Sequence, residues 1–338
     1  MPSSGAPAPR IAALRPLLAT EGGRFWLEGG PFAVEGASLP SVTVGQQPAR
    51  VVFASRTAVA ALVPADLGGG PTPVHIAEVP GETAFLQIGQ RIATGLHQVD
   101  SPAIDDDGHV YLTYSGRRGQ QAPVSVYRVA PGGAREIFAR GLTNPTSLAL
   151  DPEGRLYVTS RFDGTVTRFD RDGRSETLAT DLGVACGIVV TPDGTLIVGD
   201  RGGTLFRVRP DGGTSTLATL PASMAAFHLA LAPSGDLFVT APTLSPRDAV
   251  YRIDPAGTVS VVTRAFGRPQ GLAFDPQGRL HVVEALAGAS GLYRLDTDGT
   301  VHLVVAGAGL VGAAFDRRGT LVVASADAAY LFPAGAQS

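Results

Sequence analysis

Six residues that recur at one position of an internal repeat could bring their chemistry to a single point. Each stands eight residues before a repeated turn glycine, and the six are Asp100, Thr146, Cys186, Phe227, Gln270 and Val311. Carboxylate, amide and hydroxyl oxygens bind hard cations, and a carboxylate can also help a base to activate water. Because one member is charged, the pattern indicates either a weakly held cation or general-base activation of water.

The same repeat predicts the elements that position these residues. Every copy has an apolar strand with period-two alternation, an Asp/Pro-x-Gly turn and a second apolar strand, and its turn glycines are Gly108, Gly154, Gly194, Gly235, Gly278 and Gly319. The spacing of roughly 40 to 46 residues is that of a four-stranded propeller blade. The sequence therefore predicts an all-β fold with a six-bladed β-propeller, whose channel mouth holds the six residues.

Residues outside the repeat predict a second unit and a closing strand. Residues 1–10 are predicted to be a disordered lead, residues 11–78 a separate β domain and residues 79–338 the propeller. Because the last copy ends after three strands, residues 84–92 are predicted to supply the fourth strand and close the ring beside residues 328–332.

The N-terminal domain carries a run of turn and strand residues in a recognisable order. The run is Pro16, Gly22-Gly23, Gly29-Gly30, Phe32, Val44-Gly45 and Leu62-Val63-Pro64. This order resembles an IPT/TIG domain, which implies an immunoglobulin-like β-sandwich that could supply a docking surface for a protein partner.

His228 is the largest irregularity within the repeat. It follows Phe227 at a position where most other copies have glycine or serine. Since an imidazole can change its protonation near neutral pH, His228 could act as an acid or base or bind a ligand. The alternative interpretation is a hydrogen-bonded histidine with a purely structural role.

Other polar residues are predicted to reach the same mouth. Glu284 and Asp200 end the second strands of their blades, where they could act on a ligand or accept hydrogen bonds from loop N–H groups. Arg161 stands at the corresponding point of another blade and could bind a carboxylate or phosphate, or remain a solvated surface group. Asn144 precedes an inner strand.

A longer phrase gives the resemblance of the repeat part. The pattern P-x-G-apolar-A-apolar-D-x-x-G-x-L-x-V, best seen from Pro269 to Val282 and from Pro145 to Val158, resembles the NHL and gluconolactonase-like superfamily of propellers. The resemblance implies a metal-dependent hydrolase of lactones or related esters, with a divalent cation, most often calcium, at the mouth. The resemblance implies Asp100 as a metal ligand. The site would be weak, because Asp100 is the only carboxylate of the ring, and Phe227, Cys186 and Val311 make part of the ring apolar.

Composition excludes several other classes of function. The chain has 338 residues, a formal net charge of −3 and no lysine among its 27 basic residues, which excludes Schiff-base and P-loop mechanisms. No basic stripe predicts a nucleic-acid partner, and no apolar run approaches about 18 residues, which argues against a membrane span. A single cysteine forbids an internal disulfide and is compatible with the cytoplasm or with secretion.

Two functional hypotheses follow, both with a small molecule at the mouth. In the first, the protein hydrolyses a lactone or ester, with His228, Asp100 and Glu284 activating water. Its substrate-binding residues are then Gln270, Arg161, Asn144, Thr146, Phe227 and Asp200. In the second hypothesis, the mouth binds a small ligand or a protein without catalysis.

Overall fold

The structure, a computed structural model, describes residues 8–34, 39–77, 79, 81 and 83–336. All regular secondary structure in these ranges is β-strand. Within the same ranges there is no helix of the length and apolar character needed to cross a membrane. Most of the predicted disordered lead, up to residue 7, lies outside the described residues, as does residue 78 at the predicted domain boundary; the first strand begins at Arg10.

The first of two compact units comprises Met1–Arg91, Leu303–Ala308 and Gly335–Ser338. Its N-terminal strands are β1 (Arg10–Arg15), β2 (Leu18–Ala19), β3 (Arg24–Gly30), β4 (Val42–Val44), β5 (Gln47–Ala54), β6 (Ala58–Leu62), β7 (Gly70–Ile76) and β8 (Ala84–Ile88). They lie in the order β1-β3-β6-β5-β4-β7-β8-β2 around a core that includes Phe25, Leu27 and Val74.

The second unit comprises Ile92–His302 and Gly309–Ala334. The strands that follow β8 along the chain are β9 (Gln90–Ala93), β10 (Ala103–Ile104), β11 (Val110–Thr113), β12 (Val126–Val129), β13 (Arg135–Ala139), β14 (Pro145–Leu150), β15 (Leu156–Ser160), β16 (Thr165–Phe169), β17 (Ser175–Ala179), β18 (Ala185–Val190), β19 (Leu196–Asp200), β20 (Thr204–Val208), β21 (Thr214–Thr219), β22 (His228–Leu231), β23 (Leu237–Thr240), β24 (Asp248–Ile253), β25 (Val259–Phe266), β26 (Pro269–Phe274), β27 (Leu280–Glu284), β28 (Gly291–Leu295), β29 (Val301–Ala306), β30 (Leu310–Phe315), β31 (Leu321–Ser325) and β32 (Ala329–Phe332).

Five separate four-stranded sheets in the described chain repeat one arrangement. They are β10-β11-β12-β13, β14-β15-β16-β17, β18-β19-β20-β21, β22-β23-β24-β25 and β30-β31-β32-β9. The strands β26 to β29 do not form a further separate sheet, so the separate four-stranded sheets of the described residues number five where the sequence predicts six blades. The inner strands β10, β14, β18, β22, β26 and β30 contact one another in turn, and β30 contacts β10. This arrangement is a β-propeller.

On the side away from β31, the strand next to β32 is β9, and the predicted closing segment 84–92 is wrong in its first half. β9 (Gln90–Ala93) lies next to β32, whereas residues 84–88 form β8, which pairs with β7 and β2. Gly89 separates the two stretches, which read AFLQI and QRIA. Their composition predicts strands, but it does not tell which neighbour each one pairs with.

Turn aspartates explain why four of the six repeats form a hairpin. In β14–β15, Gly154 N donates to Asp151 O at 2.9 Å, and Arg155 N donates to Asp151 Oδ1 at 2.8 Å. Gly154 has φ +77°, in the left-handed region that favours glycine. The equivalent carboxylates of Asp105, Asp275 and Asp316 accept the same bond from the N–H four residues on. These turns set the hairpin register, and hence the level at which each ring residue lies.

Candidate active site

A cavity of about 580 Å³ lies at the end of the inner strands where the predicted ring is. Four of the six ring residues line it: Thr146, Cys186, Gln270 and Val311. All of its lining residues belong to the second unit. The largest polar concavity at this level is therefore the candidate site.

Irregular pairing turns the ring residues toward this cavity. In β14, β18, β26 and β30 the register with the next strand shifts at the ring level, between Pro145 and Leu148, Cys186 and Ile188, Pro269 and Leu272, and Leu310 and Gly312. A bulge inserts an extra residue and re-aims its side chain. The mouth of the ring is thus lined by strand ends rather than by long loops alone.

Asp100, His228 and Gln270 form one buried hydrogen-bonded line that reaches the cavity at Gln270. Nδ1 of His228 lies 2.6 Å from Asp100 Oδ1, and Nε2 lies 3.2 Å from Gln270 Oε1. His228 is fully buried, whereas Gln270 lines the cavity. Asp100 and His228 are 128 positions apart in the sequence, so the closure of the ring brings them together.

The buried carboxylate of Asp100 is fully compensated by donors. Besides His228, Ser101 N donates to Oδ1 at 2.7 Å, and the Ser147 hydroxyl donates to Oδ2. Ser147 Oγ also accepts from Gly187 N at 2.7 Å. A buried charge is tolerated only when it is paired and hydrogen-bonded, and these contacts satisfy that requirement.

Three predicted substrate-binding residues have structural roles in this geometry. Phe227 is fully buried in the core with Leu205 and Val239 and does not line the cavity. Asn144 reaches the cavity wall, but its amide is used: Gly119 N donates to Oδ1 at 2.7 Å, and Nδ2 donates to loop carbonyls at 2.6 and 2.9 Å. Thr146 lines the cavity, and its hydroxyl donates to Asn144 O at 3.1 Å.

Glu284 and Asp200 cap loops instead of facing the cavity. Glu284 accepts from the N–H groups of Gly267, Arg268 and Leu286 at 2.6, 2.9 and 2.7 Å. Asp200 Oδ1 accepts from Val184 N at 2.8 Å. Neither residue lines the cavity. The contacts of both carboxylates match the alternative interpretation, in which they accept hydrogen bonds from loop N–H groups. The catalytic role predicted for Glu284 has no geometric support.

The cavity wall contains two arginines that sequence reasoning missed. Arg161 lines the cavity as predicted, and Arg118 and Arg201 join it. A signal for Arg201 was present, because Arg161 and Arg201 each stand seven residues after a turn glycine. Arg118 lies in a loop between β11 and β12 that breaks the repeat, so no periodic signal could have found it.

A divalent cation does not fit the side chains at this mouth. Both oxygens of Asp100 accept from donors, the amide of Asn144 is occupied, and three guanidinium groups line the same cavity. Hard cations require several free oxygen ligands. The geometry therefore does not favour the predicted calcium site at Asp100.

Among the described residues, one group of side chains could hold a metal ion elsewhere. Ligand atoms of Asp105, Asp107 and His109 lie within 4.8 Å of one another. These three residues line a different cavity, which shares no lining residue with the cavity at the ring. A cation bound there would not reach the line of Asp100, His228 and Gln270.

The thiol of Cys186 is expected to be unreactive although it lines the cavity. Burial, and secondarily the charge of Asp100, raises the pKa of Cys186 to about 12. Because the thiolate is the nucleophile, iodoacetamide at about pH 8 should leave Cys186 unmodified in the folded protein and alkylate it in guanidinium. Intact-mass spectrometry measures both states. Rapid alkylation of the folded protein would contradict the buried, neutral thiol.

Comparison with known proteins supports the propeller fold and gives a partial match to one lactonase. No protein-family model matches the chain. A pentonolactonase, XacC, of Haloferax volcanii is 29% identical over 124 residues, which is 36% of this chain and 42% of that protein. The match thus spans less than half of the curated relative.

Two solved structures share the fold at low sequence identity. A gluconolactonase from Xanthomonas campestris has a TM-score of 0.53 and 19% identity, covering 65% of this chain and 86% of that one. An auxiliary nutrient binding protein from Bacteroides thetaiotaomicron has a TM-score of 0.58 and 15% identity, covering 95% and 97%. The chain therefore has a gluconolactonase-like propeller fold, which is shared by proteins described as enzymes and as binding proteins.

Proposed function

We propose that this protein hydrolyses a lactone at the propeller mouth, with His228 as the proton acceptor and Asp100 as its positioning residue. The observation that carries the proposal is the buried hydrogen-bonded line Asp100–His228–Gln270, which reaches the cavity through Gln270. A histidine oriented by a buried carboxylate is a recurrent arrangement for activating a nucleophile. The partial match to a pentonolactonase supports the substrate class.

Two arrangements of protons are consistent with the hydrogen bonds of His228 to Asp100 and Gln270. Alternation between them would let His228 accept a proton and return it. With Gln270 Oε1 facing Nε2, both imidazole nitrogens donate and His228 is an imidazolium paired with Asp100. With the amide turned over, Gln270 donates and Nε2 of a neutral imidazole accepts. His228 can therefore take up or release a proton at Nε2 while Nδ1 stays bonded to the carboxylate.

The reaction follows from that exchange. When the Gln270 side chain rotates away from Nε2, a water in the cavity can donate its proton to His228 while its oxygen attacks the lactone carbonyl carbon. The tetrahedral intermediate collapses by breaking the bond between that carbon and the ring oxygen. The imidazolium returns the proton to the departing oxygen, so that lactone and water become a hydroxy acid.

A second candidate function is ligand binding without catalysis. It is favoured by the complete burial of His228 and by the internal satisfaction of Asp100, because a catalytic base must reach its water. In that case Gln270 would contact the ligand, and the Asp100–His228 pair would serve only to hold its side chain in place.

Measuring lactone hydrolysis before and after metal removal distinguishes hydrolysis from binding and tests the metal-free mechanism. We expect the purified protein to hydrolyse members of a sugar-lactone panel, measured by proton release. After chelation and dialysis the rate should stay within about twofold, because no metal-bound water is used. The same preparation is assayed with added Ca²⁺ as the control. Loss of activity on chelation with recovery in Ca²⁺ would contradict metal-free activation, and binding without hydrolysis of any lactone would favour the second candidate.

For the fold, we propose six blades and an immunoglobulin-like N-terminal domain. The order and antiparallel pairing of β26, β27 and β28 match those of the separate four-stranded sheets, which supports β26–β29 as the sixth blade. The mostly antiparallel strands β1 to β8 around one apolar core support the IPT/TIG-like domain.

A further inference from the structure

The cavity wall carries three cations and no anion among its described lining residues. Arg118, Arg161 and Arg201 line it, whereas no aspartate or glutamate does. Two arginines at the hairpin turns instead form ion pairs: Arg155 and Arg279 contact turn aspartates at 2.5 and 2.6 Å. Since the whole chain has a net charge of −3, the positive charge is a local property of this mouth.

The charges of Arg118 and Arg201 act on the guanidinium group of Arg161. Burial is the largest influence that lowers the pKa of Arg161, and repulsion from Arg201 and Arg118 lowers it further. Arg161 is half-buried, while Arg118 and Arg201 are exposed at the rim. An anion placed between them would relieve this repulsion and could accept several charge-assisted hydrogen bonds.

Gln98 adds an unused acceptor to the same wall. Its side chain is almost fully buried, and Nε2 donates to the backbone oxygen of Asp100 at 3.0 Å. Its Oε1 has no hydrogen-bond partner within the described residues. Less than 1 Å² of this oxygen is exposed, so a ligand hydroxyl could bond to it, and remove the cost of leaving it unpaired, only when the Gln98 side chain turns toward the cavity. The wall thus suits a ligand that has both an anionic group and hydroxyl donors.

We propose that the cavity selects an acidic, polyhydroxylated lactone, whose carboxylate or phosphate is bound by Arg118, Arg161 and Arg201. Guanidinium groups bind both kinds of oxyanion through paired N–H donors, so the shared chemistry is an oxyanion on a sugar-derived ring. The hydrolysis of such a lactone rests on the proposed function, whereas the binding of the acid by the three arginines does not.

The test compares lactones that differ in charge. Initial rates are measured on glucono-δ-lactone, glucaro-1,4-lactone and 6-phosphoglucono-δ-lactone, and the binding of glucarate and 6-phosphogluconate is measured by calorimetry. The variants are Arg161→Gln and Arg201→Gln, and the matched control is Arg264→Gln, an exposed arginine outside the cavity wall. Each cavity variant should lower kcat/KM for the preferred acidic lactone by about tenfold or more and change the neutral lactone by less than about twofold.

Each outcome decides one of the two proposals. Preference for the carboxylate or for the phosphate, with loss in both cavity variants and none in Arg264→Gln, supports acid recognition and identifies the anion. Arginine-dependent binding of glucarate or 6-phosphogluconate without hydrolysis of any lactone would support the inference and overturn the hydrolase. Hydrolysis of the neutral lactone with no gain for either acidic one, or equal losses in the Arg264→Gln control, would overturn the inference while leaving the hydrolase intact.

Discussion

Replacing His228 by asparagine should lower kcat for lactone hydrolysis by about a hundredfold to ten-thousandfold, with little change in KM. An asparagine amide can occupy the place of Nδ1 and still donate to Asp100 Oδ1, which His228 contacts at 2.6 Å. It cannot accept a proton from water. The folded structure should therefore be largely retained while the chemical step is lost, and steady-state kinetics with a thermal melt measure both.

His228→Gln is the matched comparison for this prediction. A glutamine amide reaches toward the place of Nε2 and Gln270 but no longer supplies the donor at Nδ1. Asp100 would then be buried with one donor fewer, at a cost of about 1 to 3 kcal/mol. We expect both variants to be inactive and the glutamine variant to be the less stable one. Full turnover by His228→Asn would exclude His228 as the proton acceptor and leave it as a structural histidine.

We expect the second large effect on the free energy of unfolding, from a substitution of Gly312. A Cβ at this residue would lie 2.3 Å from Ser101 Cα and 2.5 Å from Ser101 N, both backbone atoms. Neighbouring inner strands approach too closely here for any side chain, and overpacking against backbone cannot be relieved by a rotamer change. Gly312→Ala should lower the free energy of unfolding by about 3 kcal/mol, a fall in Tm of roughly 6 to 12 °C.

A glycine in the same blade provides the control for Gly312. Gly319 has φ +90° and no heavy atom within 4 Å of an added Cβ, so Gly319→Ala introduces backbone strain without a clash. Its cost should be about 1 to 2 kcal/mol. Because Ser101 adjoins Asp100, Gly312→Ala should also reduce activity, whereas Gly319→Ala should not. Equal melting temperatures for the two variants would show that the inner strands can separate without penalty.

Crowding between neighbouring backbones explains why glycine recurs at the position that follows the ring residue. The repeat alone did not reveal this cause. Gly271 shows the same crowding, with Gly312 Cα and Ser101 Oγ each 2.6 Å from its added Cβ. Small residues are thus required where the inner strands meet around the channel. His228 departs from that requirement, and its ring bonds to Asp100 and Gln270, which is why the irregularity in the repeat was informative.

By itself, the sequence determined the strands, the turns and the level of the candidate site. Period-two alternation and aspartate–glycine turns are local properties, and their recurrence predicts the propeller and the ring that holds Asp100 and Gln270. Strand pairing was less predictable: residues 84–88 and β9 were predicted as one strand yet have different neighbours, because the composition of a short segment does not specify the strand that pairs with it.

Only the tertiary structure decided which polar groups touch. It joined Asp100 to His228 across 128 positions and used Glu284 and Asp200 to cap loops. It also brought Arg118 from a non-periodic loop to the wall that holds Arg161 and Arg201. The physical reason is that a repeat sets the height of a residue in its blade, whereas the direction of its side chain depends on bulges, loop paths and the hydrogen-bond donors that a buried charge requires.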